Sequence, residues 1–263
     1  MWPIWVQLEI LGRPVSLTGY GAFAILGAAL GAAVCVRLAG RAGIPAFDAF
    51  AASVLALAFG LLGAKAMYLA VTLPERDVSE WASIALAPSG LVFYGGLLGG
   101  AAAAVSYLRA YRLDLLGFAD AAAPGLAIGH AFGRIGCFMA GCCYGRPTDL
   151  LWGVRFPASP FFAGPVGVPL HPVQLYEAGA ELGLAALCGW LAGRTRSGSA
   201  VLTWLFGYSA LRLALELFLR GDDRGRALLG LTPSALLSLV GLGAALGGLA
   251  LRRGGLTTET KVS

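Results

Sequence analysis

The chain has 263 residues, of which 58% are hydrophobic and 13% charged, against about 25% charged in a typical soluble protein. That is too little charge to clothe a soluble surface, and with a mean hydropathy of +0.76 the sequence describes a polytopic membrane protein. The net charge of +5 comes from basic residues scattered in pairs between apolar runs, with no basic stripe interleaved with aromatics. This argues against a nucleic-acid partner and suits the orientation of membrane segments.

Residues 1–16 carry Glu9 and Arg13 but no short apolar core followed by a cleavage site. The first apolar segment is therefore expected to be the targeting element, with no removable signal peptide. Apolar stretches of about 20 residues, the length that crosses a bilayer, fall near 17–38, 46–72, 90–109, 116–136, 173–193, 199–219 and 232–252. They predict an all-α fold, one integral membrane domain over 1–263 with seven transmembrane helices. Runs such as GLLGGAAAA (96–104) and GLGAALGGLA (241–250) offer the small faces on which membrane helices pack closely. No repeat of fixed period appears, nor the two-half symmetry of inverted-repeat transporters. The longest connection, about 137–172, contains Pro147, Pro157, Pro160, Pro165, Pro169 and Pro172, and reads as a functional outer loop.

Orientation rests on the short loops. Arg37, Arg41, Arg109, Arg112, Arg194, Arg196, Arg252, Arg253 and Lys261 fall on one side. Arginines on the other side sit beside Glu75, Asp77, Glu80, Asp149, Asp222 and Asp223. The first side is expected to be cytoplasmic, with the N-terminus outside and a cytoplasmic tail over about 253–263.

Residues 129–145 read GHAFGRIGCFMAGCCYG, which places ionisable groups at the end of a membrane-depth segment. A charge at the bilayer centre costs roughly 2.5–3.5 kcal/mol, so it persists where it pairs, meets water or does chemistry. His130, Arg134 and Cys137 fall at i, i+4 and i+7 and share one helical face, and a helix end is expected near Gly141. Counting spans gives each polar residue a depth. Tyr20, Lys65, Tyr94, Arg134, Glu177, Glu181, Arg212 and Glu216 all fall in the same half of the bilayer, whichever way the chain is oriented. Taken singly these have plain explanations: Arg212 and Glu216 at i, i+4 neutralise each other, and Glu177 or Glu181 sits among headgroups. Together they predict a polar cavity open to one leaflet, with guanidinium groups suited to a phosphate or another anionic headgroup. Asp48 and Asp120 lie near the opposite surface and read as helix-terminal residues.

Cys35 and Cys188 lie within apolar runs and read as packing residues. Cys137, Cys142 and Cys143 admit three readings: packing or free thiols, a Cys137–Cys142 disulfide in an oxidising compartment, or a metal or catalytic site with His130. The CxxxxCC spacing matches no zinc pattern.

These residues resemble the prolipoprotein diacylglyceryl transferase family. GRIGCFMAGCCYG (133–145) is similar to its arginine-glycine signature, from Arg134 to the closing Gly145. LHPVQLYEA (170–178) resembles its His-Pro-x-Gln-Leu-Tyr-Glu element, and YSALRLALELFLRGDDRG (208–225) its late Arg-x-x-x-Glu helix. TGYG (18–21) and FYGGLLGG (93–100) fit its early tyrosine and double-glycine segment. The resemblance implies seven spans and transfer of the diacylglyceryl group of phosphatidylglycerol to the lipobox cysteine of a prolipoprotein signal peptide, with glycerol phosphate leaving at the outer leaflet of a bacterial inner membrane. It implies no metal and no organic cofactor, and catalytic roles for Arg134, Arg212 and Glu216, with the role of base lost, passed to Tyr94 or passed to His130. It implies substrate contacts from Tyr20, Gly95, Gly96, Gly145, His171, Gln174, Tyr176, Glu177 and Arg220. The chain departs from the family where Tyr94 replaces a histidine, Cys137 an asparagine and Cys142 a glutamate, and where Glu216 to Arg220 is one residue longer. Alternatives are a paralogue with the same lipid donor and another acceptor, or a non-catalytic lipid- or anion-binding membrane protein.

Overall fold

The computed structural model describes residues 4–10, 13–87, 92–158, 162, 164–221 and 230–259. For 4–10, 13–17, Glu75, Phe93, Tyr94 and 253–259 it describes the backbone path alone. Strands β1 (Ile4–Ile10) and β2 (Arg13–Thr18) form an antiparallel hairpin, a feature outside the all-helix expectation, that leads into α1 (Gly19–Ala39). The Thr18 hydroxyl accepts from the Gly21 N–H at 3.1 Å and caps that helix. There follow α2 (Ala46–Thr72), the short α3 (Trp81–Leu86), α4 (Phe93–Ala110) and α5 (Leu115–Ala140). A long loop then pairs β3 (Val154–Arg155) with β4 (Pro169–Leu170) before α6 (Val173–Leu191), α7 (Ser199–Phe218) and α8 (Pro233–Glu259).

Each expected span coincides with one long helix. Five segments among the described residues are long and apolar enough to cross a membrane: Gly19–Ala42, Ala46–Thr72, Leu115–Ala140, Ser199–Phe218 and Pro233–Arg252. In α4 the glycines and Arg109 dilute the apolar character, and in α6 Glu177 and Glu181 do so. Helix α8 continues to Glu259, into the segment expected to be a tail.

Helix α5 is the axis of the bundle, packed on α1, α6 and α7, while α4 lies chiefly on α2 and α8 on α7. Half of the apolar window of α5 is buried, against 6% for α2, which marks α5 as the enclosed helix. Its crossing with α1 depends on absent side chains: a methyl on Gly31 would lie 2.5 Å from the Gly125 carbonyl oxygen, so the two backbones touch directly. Asp114 caps the start of α5 by accepting from the Leu116 N–H at 3.1 Å, and Gly141 ends it in a left-handed conformation (φ 80°), as the sequence predicts.

The end of the bundle where α5 and α7 begin is held by groups that satisfy backbone. The Asp120 carboxylate, 4% exposed, accepts from the N–H groups of Gly198 at 2.6 Å and Val201 at 2.9 Å, so α5 caps the N-terminus of α7. Arg41 donates to the carbonyls of Gly189 and Ala192, both at 3.0 Å, near the end of α6. Asp48, in the first turn of α2, accepts from the Tyr107 hydroxyl at 2.8 Å. Cys35 and Cys188 are buried in the apolar cluster at this end. Asp120→Ala strands two buried donors and is expected to cost about 2 kcal/mol. Thermal unfolding in detergent measures this, and a melting curve identical to wild type would refute the capping role.

Lys65, late in α2, is tied to α3. Its ammonium donates to the carbonyls of Ile84 at 3.0 Å and Ala87 at 2.8 Å, at the C-terminal end of α3. Lone carbonyls at a helix end attract a cation, and α3 carries no periodic signal by which the sequence could announce it.

Candidate active site

At the other end of the bundle, three helix ends bring charge together. The last turns of α5 carry His130 and Arg134, the first turns of α6 carry Glu177 and Glu181, and the last turns of α7 carry Arg212 and Glu216. Arg220 lies just past α7. Glu177, 0% exposed, is the hub: its Oε2 lies 3.0 Å from Arg134 Nε, 3.5 Å from Arg212 Nη1 and 3.9 Å from Arg220 Nη1. Glu216 Oε2 lies 3.0 Å from Arg212 Nη2 and 3.8 Å from Arg220 Nε. The i, i+4 pairing of Arg212 with Glu216 is therefore present but not isolated, because one guanidinium spans both carboxylates and also donates to Ser234 Oγ at 3.2 Å. Among the described residues, every hydrogen bond and ion pair of Arg134 runs through Nε, which leaves its two Nη groups available to an anion.

The partners of His130 define its tautomer. Arg134 Nε–H donates to Nε2 at 3.2 Å, so Nε2 carries the lone pair, and Nδ1–H donates to Glu181 Oε1 at 2.9 Å. Glu181 also accepts from Trp204 Nε1 at 3.2 Å. Trp204 stacks on Tyr208, and Tyr208 meets the His130 ring edge-on with centroids 5.0 Å apart. Sequence reasoning did not single out Trp204, Tyr208 or Ser234. For Ser234 a signal existed: Thr232 accepts from the Ala235 N–H at 3.2 Å, a cap followed by proline in the first turn of α8.

The loop after α5 is stitched to the ends of α6 and α7. Gly145 N–H donates to the His171 carbonyl at 3.1 Å, Arg146 N–H to Leu219 at 2.8 Å and Gly221 N–H to Tyr144 at 3.2 Å, with Gly145 and Arg220 paired antiparallel. A Cβ on Gly145 would sit 2.6 Å from the Cβ and carbonyl oxygen of His171, so glycine is required for this close approach. Arg146 Nε donates to the Arg220 carbonyl at 3.1 Å. His171 Nδ1 lies 3.4 Å from the Tyr176 hydroxyl, which accepts from Trp152 Nε1 at 2.7 Å. Gln174, fully buried, donates from Nε2 to the Cys142 carbonyl at 2.7 Å.

Tyr20 lies beside the site, close enough to Arg134 and the three thiols to interact with them electrostatically, whereas the double glycine lies apart. Tyr20, 47% exposed, packs on Gly136, half a turn beyond Arg134. Gly95 and Gly96 sit in the seam between α4 and α2, against Gly63 and Gly60 respectively, so the backbone approach they permit is to another helix and not to the ion network. The Tyr94 side chain lies outside the described residues.

Cys137, Cys142 and Cys143 form no disulfide, and their sulfur atoms lie within 4.8 Å of one another. Thiol hydrogen bonds with Cys137 and Cys143, followed by burial, push the Cys142 thiol above its ordinary value. His130, occupied on both ring nitrogens, is not among the thiols' partners.

The chain matches the sequence profile of the family described as prolipoprotein diacylglyceryl transferase over residues 6–251. It is 33% identical over 235 residues to the phosphatidylglycerol–prolipoprotein diacylglyceryl transferase of Clostridium tetani, covering 89% of this chain and 92% of that protein. It is 34% identical over 214 residues to the protein of the same name from Geobacter sulfurreducens, covering 77% and 78%. It is also 34% identical over 185 residues to phosphatidylglycerol–prolipoprotein diacylglyceryl transferase 2 of Clostridium perfringens, covering 67% and 68%. With the profile running from the first hairpin to the last helix, this mostly helical membrane protein belongs to the prolipoprotein diacylglyceryl transferase family.

Proposed function

We propose that the chain transfers the diacylglyceryl group of phosphatidylglycerol to the lipobox cysteine thiol of a prolipoprotein, releasing glycerol phosphate. The observation that carries this reading is the convergence of Arg134, Arg212 and Arg220 on the buried carboxylate of Glu177. Guanidiniums fixed in place before the substrate arrives stabilise charge as it develops on a leaving phosphate. Arg134 and Arg212 contact the phosphate, Glu177 and Glu216 orient them, and His171, Gln174 and Tyr176 shape the mouth of the site. The chain is one integral domain of seven crossings in a bacterial inner membrane, with its N-terminus and the 137–172 loop periplasmic and its C-terminus cytoplasmic. The arginines at the opposite end, among them Arg41 and Arg196, support that orientation.

The test is purified protein in phosphatidylglycerol vesicles with a lipobox peptide, read by mass. A diacylglyceryl adduct on the peptide cysteine is expected, absent when serine replaces it. Donor consumption with no peptide adduct would point to another acceptor, and no donor consumption would refute the transferase reading.

His130 is a positioning residue in this scheme and not the base, because its one lone pair is engaged by Arg134 and its N–H by Glu181. His130→Gln is expected to lower the transfer rate about tenfold, by the same factor across pH 6 to 9. A loss that shrinks as pH rises and the acceptor thiol ionises unaided would restore His130 as the base.

A further inference from the structure

Helix α5 ends in a Schellman turn. Gly141 N–H donates to the Phe138 carbonyl at 3.2 Å and Cys142 N–H to the Cys137 carbonyl at 3.1 Å, around a glycine at φ 80°. In this motif the side chains of the two residues that close the outer bond meet, and an apolar contact commonly joins them. Here both residues are cysteine. Their sulfur atoms lie within 4.8 Å of each other, and the Cys142 thiol donates to the Cys137 carbonyl at 3.7 Å. Gln174, fully buried in the first turn of α6, holds the Cys142 carbonyl at 2.7 Å, which fixes the backbone on that side of the pair. Cys35 and Cys188 are buried in the apolar core, where packing accounts for them, whereas Cys137 and Cys142 are half-buried and within reach of a reagent.

We propose that Cys137 and Cys142 are a modification site: thiol–disulfide exchange with a dithiol oxidoreductase of an oxidising compartment joins them, and the bond fastens the end of α5 to the loop beyond it. This end of α5 faces such a compartment in the orientation proposed above, on which the oxidation rests. The structure shows the dithiol form. Cys142 and Cys143 are not the pair, because consecutive Cα atoms are about 3.8 Å apart, short of the roughly 4.4 Å at which disulfides begin. Hydrogen bonds with Cys137 and Cys143, then burial, push the Cys142 thiol up. A thiol so disfavoured as thiolate lacks the stabilised reduced form that makes a disulfide strongly oxidising.

One cysteine of the pair gives its proton to water, and its sulfur attacks the oxidoreductase disulfide, whose S–S bond breaks with the electron pair on the departing sulfur. The second cysteine, deprotonated in turn, attacks the first and expels the oxidoreductase. The chain loses two S–H bonds and gains one S–S bond, while the oxidoreductase takes up two electrons and two protons. The disulfide closes across the glycine turn. It ties α5 to the segment whose Gly145 and Arg146 N–H groups reach the carbonyls of His171 and Leu219. In the dithiol form that turn is held by its two backbone bonds and by Gln174.

The full-length protein is taken from bacterial membranes with free thiols blocked at lysis, then reduced and labelled with a maleimide, and the labels are counted by intact mass. Two labels are expected in the wild type and in Cys35→Ala, Cys188→Ala and Cys143→Ser, and none in Cys137→Ser or Cys142→Ser. Reduction is expected to lower the melting midpoint in detergent by about 5 °C, the entropic effect of opening so short a loop. It is also expected to speed amide exchange over residues 141–146. Cys137→Ser is expected to melt alike with and without reductant. An unlabelled wild type, two labels surviving in Cys137→Ser or Cys142→Ser, or a wild-type midpoint indifferent to reduction would each overturn the proposal. The orientation is read separately from Leu151→Cys, fully exposed in the same loop, in a chain whose Cys137, Cys142 and Cys143 are changed to serine. Reaction with an impermeant maleimide in intact spheroplasts keeps the loop outside even where the oxidation fails. Reaction only after lysis removes the orientation and the oxidation together.

Discussion

Arg134→Lys and Arg212→Lys are each expected to lower kcat/KM for diacylglyceryl transfer by about 10²-fold or more, with protein levels unchanged. The estimate follows the cost of removing one preorganised donor from a developing anion. Arg134 spends Nε on His130 and Glu177 and keeps two further donors in a fixed plane. Arg212 meets Glu177 through Nη1 and both Glu216 and Ser234 through Nη2 of one guanidinium. A lysine carries one compact ammonium and has to choose between holding the frame and meeting the phosphate. The measurement is steady-state transfer to a lipobox peptide at varied phosphatidylglycerol. Wild-type turnover in both variants would remove these arginines from the phosphate role.

Glu177→Ala is expected to be the most destabilising single change in the molecule, at about 3–5 kcal/mol. That is the range for removing one partner of a buried pair and leaving the other charge uncompensated. Here three guanidiniums share the carboxylate, so they would also repel one another once it is gone. Glu177→Gln keeps the volume and one carbonyl acceptor and is expected to fall between Ala and wild type. Thermal unfolding in detergent ranks the three. Equal stability of Ala and wild type would mean that the arginines are solvated already and that Glu177 is no hub.

The helices were legible because a membrane span announces itself by length and apolar content alone: the expected 46–72 is the observed Ala46–Thr72. The meeting of Arg134, Glu177, Arg212 and Glu216 was legible for a related reason, since alternating span direction assigns each residue an end of the bundle. The same count gives Lys65 a depth but not its neighbours, among them the carbonyls of α3. Gly95 and Gly96 were assigned to substrate, whereas a glycine pair serves helix packing just as well. Trp204 and Tyr208 look like any apolar helix residues in the sequence, and their role depends on which face α7 turns to α5. The gathering of the thiols needed the left-handed turn at Gly141 and Cys143, which spacing alone does not give.

The pairing of the loop at Gly145 and Arg146 with Arg220 has a consequence for how the protein is made. The Arg146 to Arg220 contact joins residues 74 positions apart. During synthesis α5 enters the membrane carrying Arg134 before its carboxylate partner on α6 exists, and the loop beyond it stays unfastened until α7 has followed. No chain that stops before α7 holds the complete ion network.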